Sequence, residues 1–317
     1  MLTNPMDVLQ LHPIRKNKKQ KQAFREDVKQ YAESLGYTVE LEKAAYGAKN
    51  IVIGDPKEAR YLITAHYDTP ASIGIPNFIT PCNAVSYWVY QLIVVAIFLL
   101  ITFASGSAVM LLTDSEALTF AVSYVMYFGI LILMLVGPAN KNNANDNTSG
   151  VVTVLETARS MPENLRGQVC FVLFDLEEAG LIGSAAYRKA HKQETEKQFI
   201  LNLDCVGDGD EIVFFPTKKA RKNDAALKWL YRAIGRYGEK TIDVREKGFA
   251  QYPSDQKHFP YGVGIAALKR KKGIGLYLDR IHTKKDTNLD ITNVNLLRAC
   301  LTTLVMPQNK EVTDGEG

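Results

Sequence analysis

The stretch Phe171 to Gly180, FVLFDLEEAG, decides how the fold is read, because an apolar run ends abruptly there in two adjacent carboxylates, Glu177 and Glu178. Val169 to Phe174 is short and rich in β-branched and aromatic side chains, the pattern of a strand buried on both faces of an α/β sheet. Ligands of such sheets collect at the carboxyl ends of the strands. Two neighbouring glutamates there repel each other unless a cation lies between them, or unless one binds a cation while the other handles protons. For the pair taken alone, a helix N-terminus whose free N–H groups welcome acids accounts for it equally simply.

Working outward, two more apolar runs end the same way. Tyr61 to Ala65 leads into His66-Tyr67-Asp68. A histidine followed two residues later by an aspartate suits a metal ligand whose other ring nitrogen is held by a carboxylate, although a core histidine bonded to a nearby acid has the same pattern. Phe199 to Leu203 ends in Asp204, with Gly207 and Gly209 close behind. Between them, the polar segment Asn140 to Gly150, NKNNANDNTSG, opens a helix over about 149–159, and Asp146 just ahead of it fits a turn or capping residue as well as a ligand. Three buried strands ending in His66, Glu177-Glu178 and Asp204 gather imidazole and carboxylate at one sheet edge, which packing alone does not require. Such donors suit divalent ions, zinc above all.

Length and charge narrow the function classes. A chain of 317 residues buries a substantial core, and a net charge of +4 is too mild to argue for nucleic acid as a partner. Cys82, Cys170, Cys205 and Cys300 are far apart, without a C-x-x-C pair, and read as reduced thiols. The basic run Arg15 to Lys21 reads as a solvated face leading into an amphipathic helix over Ala23 to Leu35 that Gly36 closes. Tyr37 to Leu41, Asn50 to Ile53, Ile265 to Leu268 and Ile274 to Leu278 read as strands. Ala225 to Gly235 and Asn293 to Leu304 read as helices.

The chain changes character after a proline-punctuated connector, Pro70 to Asn83. Ala84 to Thr113 and Ala117 to Asn140 contain no charged residue, and only Asp114-Ser115-Glu116 separates them. About 20 helical residues cross a hydrocarbon core of roughly 30 Å, and Tyr87, Trp88, Tyr124 and Tyr127 suit the interfaces. The expectation is a two-span transmembrane hairpin over 84–140, in contact with membrane lipid and inserted into a single domain formed by 1–83 and 141–317. The start of the chain lacks the pattern of a secretory signal peptide. Lys141 follows the second span and acids occupy the turn, so the expected orientation puts both parts of the domain on the cytoplasmic side.

In order, His66-Tyr67-Asp68, Asn145 to Gly150 (NDNTSG), Glu177 to Ser184 (EEAGLIGS), Asn202-Leu203-Asp204, Ser254-Asp255 and His282 to Asp286-Thr287 (HTKKDT) resemble the motifs of the co-catalytic di-zinc aminopeptidases, metallopeptidase family twenty-eight. The likeness spans nearly the whole chain outside the hairpin. It implies an α/β three-layer sandwich with a mixed central sheet, interrupted here by the hairpin, and an aminopeptidase acting on peptides with a free N-terminus. It also implies two zinc ions, replaceable by cobalt or manganese. By the same resemblance His66, Asp204, Glu178 and His282 are metal ligands, Asp146 bridges both ions, Glu177 is the general base, Asp68 orients His66, and Tyr252 polarises the scissile carbonyl. Three features depart from the family pattern: Asn143 stands where relatives have a glycine nearby, Gln256 where a histidine often follows Ser-Asp, and the hairpin where soluble members have a short connection. Carboxypeptidase and glutaminyl cyclase chemistry on the same fold, the latter with one zinc, and a non-catalytic membrane scaffold are the competing readings.

Overall fold

The computed structural model describes residues 1–72 and 77–307; part of the expected connector, 73–76, lies outside the described residues. Ten strands form one sheet: β1 (Val39–Lys43), β2 (Lys49–Ile53), β3 (Tyr61–His66), β4 (Val169–Phe174), β5 (Phe199–Leu203), β6 (Glu211–Pro216), β7 (Gly235–Tyr237), β8 (Lys240–Val244), β9 (Gly262–Lys271) and β10 (Gly275–Tyr277). Their order is β1-β2-β4-β3-β5-β9-β6-β8-β7, with β10 hairpinned onto β9. The centre, β4-β3-β5-β9, is parallel, while β2 joins β4 and β6 joins β9 antiparallel, so the sheet is mixed as expected.

The parallel strands are buried on both faces because helices cover both. On one face α1 (Lys18–Ser34), α4 (Gly150–Ser160) and α7 (Ile291–Val305) contribute Phe24, Val28, Val151, Val154, Leu297 and Leu301 to a core that takes Ile63, Phe171, Leu173 and Leu201 from the sheet. On the other face Tyr187 of α5 (Ile182–Ala190) and Phe259 pack on Leu62, Val172 and Phe174. A further short helix, α6 (Asp224–Leu230), ends five residues before the sequence pattern predicts and gives way to a 3-10 turn.

Two further helices, α2 (Ala84–Thr113) and α3 (Glu116–Val136), are long and apolar enough to cross a membrane, and their apolar side chains are largely exposed. Asn83 and Ser115 cap them. They pack against each other where Gly106 lets the backbones approach; a Cβ there would stand 2.4 Å from Ser123 Oγ.

The basic run at Arg15 to Lys21 differs from its sequence reading. Arg15 is fully buried, its Nε donating to the Tyr67 carbonyl and an Nη to that of His12. Lys21 is buried as well, its ammonium 2.5 Å from Asp175 Oδ1. Burial without these partners would cost several kcal/mol, so both cations are fastened to the parallel strands' carboxyl edge.

Candidate active site

The register β4-β3-β5 sets the site. His66 pairs with Phe174 at the last position of β3, so the loop after β4 carrying Glu177 and Glu178 starts beside His66, and Asp204 follows the end of β5 on its other flank. Asp146 arrives from the turn preceding α4, and His282 from the loop after β10.

Asp146 is at the centre. Its Oδ1 lies 3.3 Å from His66 Nε2 and its Oδ2 lies 3.0 Å from His282 Nε2. Each carboxylate oxygen therefore faces a different histidine. His66 Nε2 is also 3.9 Å from Asp204 Oδ1, and His282 Nε2 is 3.4 Å from Glu178 Oε2. Among the described residues three donor groups have their ligand atoms within 4.8 Å of one another: His66-Asp146-Asp204 and Asp146-Glu178-His282, which have Asp146 in common, and His66-Glu177-Glu178.

The supports are buried and fully engaged. Asp68 lies 3.5 Å from His66 Nδ1, while its two oxygens accept the backbone N–H groups of Glu177 and Glu178. It thus orients the imidazole and the glutamate pair together. Asp286 accepts the N–H groups of Asn145 and Asp146, fixing the central aspartate's backbone. Asn147 receives N–H groups from Gly150 and Cys205 and donates to the Leu203 carbonyl, tying the turn to the end of β5. Gly150 is required at this crossing, since a Cβ would stand 2.4 Å from Asn147 Oδ1 and 2.6 Å from the Leu203 carbonyl oxygen. Leu176, Leu181, Cys205 and His282 adopt positive φ, a conformation that costs non-glycine residues about 1–3 kcal/mol and gathers at functional sites.

The electrostatics call for a cation. Burial, reinforced by Asp146, pushes the Glu178 carboxyl up to about 8 against the pull of His282. Burial likewise raises Glu177 well above the usual range, with Glu178, Asp255 and Asp204 adding to it and His66 opposing. Burial alone would lower His282, yet Glu178 and Asp146 outweigh it and raise the imidazole to about 9. Glu178 Oε1 is buried without a hydrogen-bond partner. An excess of buried carboxylates around two imidazoles, one acid oxygen left unpaired, fits a divalent ion that takes nitrogen and oxygen ligands, as zinc does.

All eight residues singled out from the sequence converge here. Tyr252 lines the same cavity, of about 230 Å³, and its hydroxyl donates to the Asp204 carbonyl. Sequence reasoning assigned no role to Asp286 or Asp255, although both stand in the quoted motifs. Asp255 is buried and pushed up to about 7 by desolvation. It also gave no hint of Arg15, a buried cation near Asp68 and Asp146, nor of Tyr87 and Gln91 in the cavity wall.

Comparison with known proteins agrees with this geometry. No curated protein sequence matches the chain. Among solved structures it is similar to a Zn-dependent exopeptidase from Parabacteroides distasonis (16% identity, TM-score 0.59, covering 96% of this chain and 97% of that one). It is also similar to the LapA aminopeptidase of Legionella pneumophila (15%, TM-score 0.55, 96% and 70%) and to a glutaminyl cyclase of Bacteroides thetaiotaomicron (16%, TM-score 0.58, 96% and 97%). At such identities the likeness is one of fold. The sequence profile of Peptidase family M28 matches residues 131–306, more than half of the chain and every motif after the hairpin, and the chain therefore belongs to Peptidase family M28, the zinc-dependent metallopeptidases.

Proposed function

We propose that this protein is a membrane-anchored aminopeptidase that holds two zinc ions and removes the first residue from peptides with a free N-terminus. The observation that carries the reading is the division of Asp146, one oxygen facing His66 and the other His282. His66, Asp146 and Asp204 would hold one ion, and Asp146, Glu178 and His282 the other. When bound, the ions supply Lewis-acid charge that polarises a peptide carbonyl and acidifies water.

The chain's own residues do the rest. Glu177 lies in the cavity outside the two groups that share Asp146, although it falls in a third with His66 and Glu178; its role here is to take a proton from the attacking water and return it to the departing amine. Its raised affinity for protons, caused first by burial, suits a base that must hold the proton between the two steps. Asp68 keeps His66 and the Glu177-Glu178 backbone in register. The acids around the cavity favour a substrate's positively charged α-amine, which limits cleavage to the first peptide bond. Tyr252, with its hydroxyl at the cavity wall, is the candidate to steady the carbonyl.

A shared Asp146 favours two ions over the single zinc of the cyclase reading. We assign α2 and α3 as transmembrane spans, with both parts of the peptidase domain on the cytoplasmic side.

The test is a panel of aminoacyl amides, each free and N-acetylated, given to the zinc-loaded protein in detergent. Cleavage of free-amine substrates alone is expected, and Glu177→Gln should lower kcat by about 10²–10⁴-fold with zinc content unchanged. Release of the last residue from an N-acetylated peptide with a free C-terminal carboxylate, or loss of ammonia from an N-terminal glutamine with the chain intact, would replace the reading with a carboxypeptidase or a cyclase.

A further inference from the structure

The two helices of the hairpin differ in length, thirty residues in α2 against twenty-one in α3. Counted outward from the Asp114-Ser115 turn, Val136 at the end of α3 stands opposite Ile93. Twenty-one helical residues span about 32 Å, the thickness of a hydrocarbon core. The first turns of α2, Ala84 to Leu92, therefore run on past the end of α3 and reach the peptidase domain.

They are fastened there. Asn83 Nδ2 donates to the Ile274 carbonyl, the Tyr87 ring packs 5.9 Å from that of Phe249, and the Tyr90 ring meets Phe78, which in turn meets Tyr277. Tyr87 and Gln91 are one turn apart and so share a helix face. Both line the cavity that contains Asp146, Glu177, Glu178, Asp204 and His282. On the far side of Glu178 a second cavity, of about 740 Å³, is lined by Leu135 and Val136 at the foot of α3, where Lys16 Nζ donates to the Leu135 carbonyl. The two feet of the hairpin flank the candidate ligands.

We propose that α2 is part of the substrate site: Tyr87 and Gln91 are specificity-determining residues that the membrane insertion supplies. The Tyr87 ring packs against the side chain of the bound residue, beside Ile79 and Ile281, and Gln91 offers the uncharged polar contact on the same wall. Apart from the candidate ligands and Glu177 no charged side chain lines this cavity among the described residues, so the first residue it accepts is uncharged. Because Gln91 is two residues, about 3 Å, from the level of Ile93, that residue binds at the depth of the lipid headgroups. The inference rests on the di-zinc exopeptidase reading for the position of the substrate, and its test does not depend on which bond is cleaved.

The experiment measures binding of two zinc-chelating probes, leucine hydroxamate and acetohydroxamate, to the full-length zinc-loaded protein in lipid nanodiscs. Tyr87→Ala is expected to weaken leucine hydroxamate about tenfold, the scale of a lost apolar pocket contact, while acetohydroxamate, which has no side chain, changes less than about twofold and zinc content is unchanged. Gln91→Ala should shift the ranking among leucine, serine and asparagine hydroxamates. Leu92→Ala, on the exposed face of the same turn, should alter neither. Equal binding of both probes to wild type and Tyr87→Ala would overturn the proposal, as would an equal weakening of both with loss of zinc, the mark of a merely structural role. Failure to cleave aminoacyl amides while the hydroxamate discrimination persists would instead remove the aminopeptidase reading and leave the α2 wall in place.

Discussion

Asp146 and His282 make the site's charge balance testable residue by residue. A zinc ligand must be neutral imidazole or ionised carboxylate, yet without metal His282 is raised to about 9 by Glu178 and Asp146, and Glu178 to about 8 chiefly by burial. At pH 7 the Glu178-His282 pair therefore holds a proton that an arriving cation displaces. Titrating zinc into the metal-free protein in buffers of different ionisation enthalpy should show proton release at pH 7, diminishing as pH rises through about 8 to 9. Heats independent of the buffer would contradict this picture of the site. The candidate ligands were legible because packing gives little reason to end one apolar run after another in an acid or a histidine. Arg15 and Lys21 were not, because what buries them is remote in sequence: the Tyr67 carbonyl and Asp175 lie 52 and 154 residues away. A lysine-rich run carries no mark of which of its members will be drawn inward.

Among the elements, the turn that leads into α4 is the one whose geometry the site depends on most. Gly150 sits between Asn147 and the Leu203 carbonyl with no room for a side chain. Gly150→Ala should cost about 1–3 kcal/mol, the scale of overpacking, seen as a lowered Tm, and should loosen zinc binding because the displaced turn carries Asp146. An unchanged Tm and zinc affinity would mean that the crossing relaxes freely. Strands β3, β4 and β5 were readable from sequence to within a residue, since burial on both faces writes itself as an unbroken apolar run. Strand β6, Glu211 to Pro216, was missed although its run is apolar and buried; β7 and β8 at the sheet's far edge were missed because they are three and five residues long, and their alternation, as in Lys240 to Val244, differs little from a polar loop. The same holds for Tyr87 and Gln91. Within a long uncharged helix Tyr87 reads as a membrane-interface aromatic and Gln91 carries no mark, and only the excess length of α2 over α3 brings them to the cavity.

At the scale of the whole molecule, an α/β peptidase domain and a hairpin of exposed apolar helices meet at the mouth of the active site. The two helices are long and apolar enough to cross a membrane, and the proposed membrane anchoring is tested on them. The protein should stay with membranes after carbonate washing; release into the soluble fraction would make the hairpin a lid or an oligomer contact instead. Everything proposed for the chemistry depends on Asp146 being shared by two cations. Counting zinc by elemental analysis in the purified wild type, His282→Ala and Asp146→Ala tests that sharing without recourse to any substrate. Two ions per chain are expected in the wild type, one in His282→Ala and fewer than one in Asp146→Ala. A single ion in the wild type that survives the loss of His282 would refute it.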